Sequence, residues 1–247
     1  MSASLGLQLY SLRNELPSDY AGVLKRVADA GYVGVEPAGF PGSSLEEAAR
    51  IYDDLGLRVP CIHVPLPVGE KRRESIDTAM TLGAARVVSG LGDDGFASPE
   101  LIIESCNHFN EAAENARDDG MQFAIHNHWW EFEQLDGRPV YQYMLEHLEP
   151  FVEFEIDTYW VKTAGMDPAA VIEELGPRCP LLHIKDGPCV RDEPMTAIGE
   201  GTMDFDPIMK AARHAEWMIV ELDECATDMV EAVEKSAGSL RDKGYVG

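Results

Sequence analysis

The sequence is short of positive charge. Lysine and arginine total 20 against 44 aspartates and glutamates, for a formal net charge of -24. Binding a phosphate backbone needs a basic face, so nucleic acid is not an expected partner. Cysteine is sparse: Cys61, Cys106, Cys179, Cys189 and Cys225 are scattered, with no Cys-x-x-Cys pair. An odd count without metal-type spacing points to reduced thiols and a cytoplasmic setting. No apolar run approaches the roughly 18 residues of a membrane span. The first residues lack a basic stretch followed by an apolar core, so neither a membrane partner nor a signal peptide is expected. A glycine-rich phosphate loop is also missing. Tyr10-Ser11-Leu12-Arg13-Asn14 follows the first apolar run instead, which weighs against a doubly wound dinucleotide-binding sheet. No linker or low-complexity segment interrupts the chain, so residues 1–247 read as one domain.

Apolar residues make up 45% of the chain, enough for a full core. The excess acid falls on predicted helix faces, as at Asp53-Asp54 or Glu111 and Glu114. Such a surface repels itself at low salt and needs screening. A high-salt cytoplasm is the expectation.

Eight apolar runs read as strands: 5–12, 32–38, 58–66, 84–91, 121–128, 152–160, 180–186 and 217–223. Helical patterns lie between them, over 19–30, 44–55, 71–82, 100–119, 140–148, 168–175, 207–215 and 228–243. Ser44 with Glu47 reads as a capping box, and two helices open on Asp-Pro, an N-cap followed by proline. The junctions repeat: Gly31, Gly56, Gly83 and Gly120 each stand past a helix end and shortly before a strand. Glycine suits the left-handed conformation there. Eight strand–helix units in a chain of this length imply a closed (β/α)8 barrel.

Catalytic groups of such a barrel belong at the C-terminal ends of its strands. The predicted second strand ends at Glu36, the third at His63, and the fifth at His126 and His128. The sixth ends at Asp157, the seventh at His183, Lys185 and Asp186, and the eighth at Glu221 and Asp223. The fourth offers only Ser89-Gly90. Alternation puts Glu155 and Asp157 on one face. Asp157, His183 and Glu221 together supply two carboxylates and an imidazole, a set that suits a divalent cation. Manganese comes first, with cobalt, zinc or magnesium as alternatives. Such a site polarises a carbonyl and eases removal of the adjacent proton.

The pieces resemble the xylose isomerase-like TIM barrel superfamily of sugar phosphate isomerases and epimerases. They are Val-Gly-Val-Glu36, Cys-Ile-His63-Val-Pro, His126-Asn-His128 with Trp-Trp-Glu131-Phe, and Asp157-Thr-Tyr-Trp160. His183-Ile-Lys185-Asp186, Gly199-Glu-Gly-Thr-Met-Asp204 and Glu221-Leu-Asp223 complete the set. The resemblance implies that Asp157, His183 and Glu221 are three of four metal ligands. His126 stands where many members place a glutamate, so Glu131 is taken as the fourth ligand, with His126 itself as the alternative. His126, His128, Lys185 and Glu221 are the implied catalytic groups, and Glu36, His63 and Trp160 the substrate-binding ones. Gly199 to Thr202 reads either as a loop approaching substrate or as a structural turn.

The implied activity is a metal-dependent isomerase or epimerase acting on a small carbohydrate. A keto-sugar or keto-inositol dehydratase or β-elimination lyase is the alternative, because the HNHxxEF and DxYW forms resemble a subgroup of that kind. An apurinic endonuclease-type phosphodiesterase is remote, since it needs a histidine where Trp160 stands. A non-catalytic sugar-binding barrel is disfavoured by the ligand set. A homo-oligomer is left open.

Overall fold

The computed structural model describes residues 3–246. Eight parallel strands form one sheet: β1 (Ser4–Gln8), β2 (Gly34–Glu36), β3 (Cys61–His63), β4 (Arg86–Ser89), β5 (Gln122–His126), β6 (Glu153–Asp157), β7 (Leu181–Ile184) and β8 (Trp217–Val220). Their order is β2-β1-β8-β7-β6-β5-β4-β3. The remaining seam, between β2 and β3, is bridged where Gly34 faces Arg58 and where His63 N–H donates to Pro37 O at 2.9 Å. The sheet is therefore a nearly closed barrel.

Helices α1 (Tyr20–Asp29), α2 (Leu45–Leu55), α3 (Lys71–Thr81), α4 (Pro99–Asp118) and α5 (Val140–His147) follow the first five strands. The short α6 (Thr158–Thr163) and α7 (Pro168–Leu175) follow β6, α8 (Phe205–Ala211) follows β7, and α9 (Met229–Asp242) follows β8. Side-chain caps start many of them. Asp19 accepts from Gly22 N–H at 2.9 Å, Ser44 from Glu47 N–H at 3.2 Å, and Asp228 from Glu231 N–H at 2.9 Å, each satisfying a donor the helix leaves free. The four junction glycines have φ of +94°, +67°, +65° and +80°, in chain order.

Three local readings differ. The helix expected from Pro207 starts two residues earlier, because Asp204, not Asp206, is its N-cap and accepts from Asp206 N–H. The first apolar run divides into β1 and a 3-10 turn, Leu9–Leu12. The run 152–160 ends as a strand at Asp157, which turns the chain into α6.

The main core lies between sheet and helices. Inside the barrel a second, smaller apolar cluster comprises Cys61, Val88, Ala124, Leu181, Trp217 and Ile219. It fills the lower barrel as side-chain layers do in this architecture. Gly34 is required beside it: a Cβ there would meet the Trp217 ring at 2.5 Å and Arg58 O at 2.9 Å.

Candidate active site

Side chains alternate along a strand, so residues two apart share a face. Cys61 is followed by His63, Ala124 by His126, Leu181 by His183 and Lys185, and Ile219 by Glu221. Over one pleat the barrel interior thus changes from an apolar plug to ionisable groups. Of these, His63, His126, Lys185 and Glu221 line a cavity of about 870 Å³ at the C-terminal ends of the strands, while His183 is fully buried behind them. The cavity walls include Arg13, His63, His128, Trp129, Trp160 and Lys185.

His183 lies at the centre. Its Nδ1 is 2.9 Å from Glu221 Oε2, and its Nε2 is 2.8 Å from Glu36 Oε2 and 3.2 Å from Glu155 Oε2. His126 Nδ1 is 3.3 Å from the same Glu155 oxygen. Lys185 Nζ stands 3.0 Å from Asp157 Oδ2, 2.7 Å from Glu221 Oε2 and 2.7 Å from Asp223 Oδ2. Asp157 serves two elements: its Oδ1 accepts the Trp160 N–H at 2.9 Å and caps α6, while its backbone N–H donates to Asn127 Oδ1 at 2.9 Å. Among the described residues, Asp157 Oδ2 makes no hydrogen bond of good geometry, although Lys185 is close.

Burial and mutual charge set the proton affinities. Burial pushes the Glu36 carboxyl up to about 8, helped by neighbouring Glu155 and opposed by His183. Burial also raises Asp157, to about 6, against the pull of Lys185 and His183. For Glu221 the same desolvation is outweighed by Lys185 and His183, which hold it well below the usual carboxylate range. Burial lowers His126 to about 4 and His128 to about 2, the latter with help from His126 and Lys185. Both imidazoles are therefore neutral at pH 7. His183 and Lys185 are driven the other way, above their ordinary values, because the surrounding carboxylates outweigh desolvation.

His126, Asp157, His183 and Glu221 each offer one donor atom, all within 4.8 Å of one another. Two carboxylates and two imidazoles in one buried cluster, one carboxylate oxygen lacking a well-formed hydrogen bond, fit a divalent cation. Glu131 is not one of the four. Its carboxylate accepts the His128 N–H at 2.9 Å, and its other oxygen is buried and makes no hydrogen bond among the described residues. Burial pushes that carboxyl up to about 8. Glu36, His63 and Glu155 form an adjoining group of the same kind. Trp160 lies against Trp129, ring centroids 4.9 Å apart, and both line the cavity. Trp130 instead stacks on His128 at 4.1 Å.

Sequence reading missed two residues here. Glu155 shares a face with Asp157, but nothing in the sequence says which partners meet it. Arg13 reaches the cavity from beyond β1, its guanidinium 4.1 Å over the Tyr10 ring, donating to Tyr10 O at 2.9 Å and Asp223 O at 2.6 Å. The Gly199–Thr202 segment is organised by Asp186, whose carboxylate accepts from the N–H groups of Gly187 and Gly199 at 2.8 Å and of Gly201 and Met203 at 3.1 Å.

The family model of the xylose isomerase-like TIM barrel matches residues 24–243. The chain belongs to that family. No curated protein matches this xylose isomerase-like barrel by sequence. Among solved structures it resembles a sugar phosphate isomerase/epimerase from Parabacteroides distasonis, with 26% identity, a TM-score of 0.79, and coverage of 100% of this chain and 96% of the other. The IolI protein, solved with a zinc atom, is 17% identical, with a TM-score of 0.76 over 98% and 97% of the two chains. An L-ribulose 3-epimerase is 14% identical, with a TM-score of 0.74 over 98% and 94%. At those lower identities the likeness is one of fold. Among the described residues, no helix is long and apolar enough to cross a membrane.

Proposed function

We propose that this xylose isomerase-like barrel is a divalent-metal-dependent isomerase or epimerase of a sugar or keto-sugar, acting by proton abstraction beside a carbonyl. The observation that carries the reading is the quartet His126, Asp157, His183 and Glu221, gathered from β5 to β8 beside the cavity. His126 takes the fourth position in place of Glu131. The zinc atom in the IolI structure and the isomerase and epimerase names of the neighbours agree with it.

A bound divalent ion would polarise the substrate carbonyl and lower the barrier to removing the adjacent proton. Lys185, kept charged by three carboxylates, holds the oxygen that gains negative charge. His128 presents a neutral imidazole in the cavity wall and takes the proton. Its low proton affinity is set partly by His126 and Lys185. An enediolate forming between these groups supplies the opposite charge and raises that affinity. Trp129 and Trp160 provide flat apolar walls for a sugar ring.

One observation favours a second reading. A two-glutamate exchange needs a carboxylate on β5, and His126 stands there. Loss of a β-oxygen after the same proton abstraction, a dehydratase or lyase outcome, needs no second carboxylate. The test is incubation of metal-loaded protein with keto-sugars in deuterium oxide. Deuterium entering the carbon beside the carbonyl, abolished by chelation and restored by manganese or zinc, is expected. Appearance of an ultraviolet-absorbing enone selects the lyase. Exchange that persists after chelation refutes metal dependence.

A further inference from the structure

The end of β1 holds two side chains that the chemistry above does not use. Gln8 is the last residue of β1, and Arg13 closes the 3-10 turn Leu9–Leu12 that follows it. Both line the cavity. The turn fixes them to one residue, Tyr10. Gln8 Oε1 accepts the Tyr10 N–H at 3.0 Å. The Arg13 guanidinium donates to Tyr10 O at 2.9 Å and lies 4.1 Å over the Tyr10 ring. A second bond, 2.6 Å to Asp223 O, ties Arg13 to the segment after β8.

These bonds leave donors over. Only the oxygen of a side-chain amide accepts, so the cap on Tyr10 turns the Gln8 NH2 group the other way. Gln8 is 1% exposed, yet its Nε2 makes no hydrogen bond among the described residues. A guanidinium has five N–H groups. Two of Arg13's are bound to carbonyls, and the others have no acceptor among the described residues. The charge is uncompensated as well. Lys185, the other lysine or arginine in the cavity wall, is surrounded by Asp157, Glu221 and Asp223. Arg13 pairs with no carboxylate among the described residues, although Asp223 and Glu224 line the same cavity. The Asp223 carboxylate is taken up by Lys185, and Arg13 meets only its backbone oxygen.

A guanidinium fork and a carboxamide offered from the two ends of one turn match the oxygens of a carboxylate or a phosphate. We propose that Gln8 and Arg13 form a subsite for an anionic group, so that the substrate is an acidic sugar bearing a carboxylate or a phosphate ester. Asp223 couples this subsite to the reacting atoms, since its backbone oxygen accepts from Arg13 and its Oδ2 from Lys185. Arg13 is then a residue of specificity, with no part in the proton transfer.

The inference deepens the isomerase or epimerase reading and rests on it for the site, so the experiment separates the two. The probes are D-fructose, D-fructuronate and D-fructose 6-phosphate, which share a ketose skeleton and end in a hydroxyl, a carboxylate and a phosphate. Each is titrated by calorimetry into wild type and Arg13→Gln, equilibrated with zinc at one KCl concentration. At least one charged ketose should bind wild type about 10–100-fold tighter than fructose, the range of a charge-assisted hydrogen bond, and that preference should shrink to about threefold or less in Arg13→Gln. The tighter of the two tells carboxylate from phosphate. Equal affinity for all three, no binding of either charged ketose, or a preference that survives in Arg13→Gln overturns the inference. A crystal structure of wild type with the tighter ketose needs no variant. Its acid group is expected on Arg13 and Gln8, and an acid group on Lys185 or the metal quartet overturns the subsite. Deuterium exchange beside the carbonyl, and its loss on chelation, report on the proposed function separately. Exchange without a charge preference sinks the inference and leaves that function standing; a charge preference without metal-dependent exchange does the reverse.

Discussion

Among the described residues, Lys185 is the only basic side chain other than histidine within ion-pair distance of Asp157 and Glu221, and its replacement by methionine is the sharpest test of how the site is balanced. Its ammonium lies 3.0, 2.7 and 2.7 Å from carboxylates of Asp157, Glu221 and Asp223, and the side chain is 1% exposed. Methionine keeps most of the apolar stem and deletes the charge. Removing one partner of a buried ion pair costs about 3–5 kcal/mol, because the other charge is left buried and uncompensated. Asp223 is about one-third exposed and adds about 0–1 kcal/mol. In a chain of this size each kcal/mol moves Tm by about 2–4 °C, so metal-free Lys185→Met, losing about 3–6 kcal/mol in all, should melt about 6–24 °C below wild type. A divalent cation at Asp157 and Glu221 replaces the missing charge, so zinc should raise the variant's Tm by more than it raises that of wild type. Thermal melts in EDTA and in zinc read both effects. A variant melting within about 1 °C of wild type in EDTA, or an equal zinc shift in the two proteins, would refute the reasoning.

Three further outcomes are expected. His126→Ala should lose bound metal after dialysis against zinc, whereas Glu131→Gln should retain it; elemental analysis decides, and the reverse pattern returns Glu131 to the quartet. Glu131 is pushed up to about 8 by burial from an ordinary 4.5, so the folded chain binds its proton more tightly than the unfolded one. Its contribution is full below pH 4.5 and is lost as pH rises through about 8; metal-free Glu131→Gln should therefore lose Tm less steeply than wild type between those limits. With a net charge of -24, melting temperature should climb through a KCl series, and a flat series would count against adaptation to high salt.

The barrel was legible because its signals are local. A glycine past a helix end and an apolar run after it need no knowledge of the rest of the chain, and Gly31, Gly56, Gly83 and Gly120 all adopt positive φ. The strand-end residues were legible for the same reason, since the architecture assigns its chemistry to one end. Pairing between strands was not. Glu155 and Asp157 look alike in sequence, yet Asp157 faces Lys185 and caps α6 while Glu155 faces two imidazoles. That difference is set by the stagger of neighbouring strands, in which Glu155 lies opposite Leu181 and Asp157 opposite His183. The bare end of β4 has its reason in packing. A Cβ at Gly90 would come within 2.9 Å of the His126 backbone O, so the close approach of the end of β5 leaves no room for a side chain there. Arg13 escaped notice because it lies beyond the 3-10 turn that follows β1, and no periodic pattern reports where such a turn sends its side chains.

The Asp186 carboxylate has a mechanical consequence. It is buried, no cation is among its hydrogen-bond partners in the described residues, and four converging backbone N–H groups take up its two oxygens. Those groups belong to residues 187–203, so the segment is tied to the end of β7 at four points. Peeling it away would cost the buried carboxylate all four hydrogen bonds at once. The segment is thus a fixed buttress behind the site and not part of the cavity wall, which Ala38, Gly39, Leu66 and Leu91 help to form on the side of β2, β3 and β4.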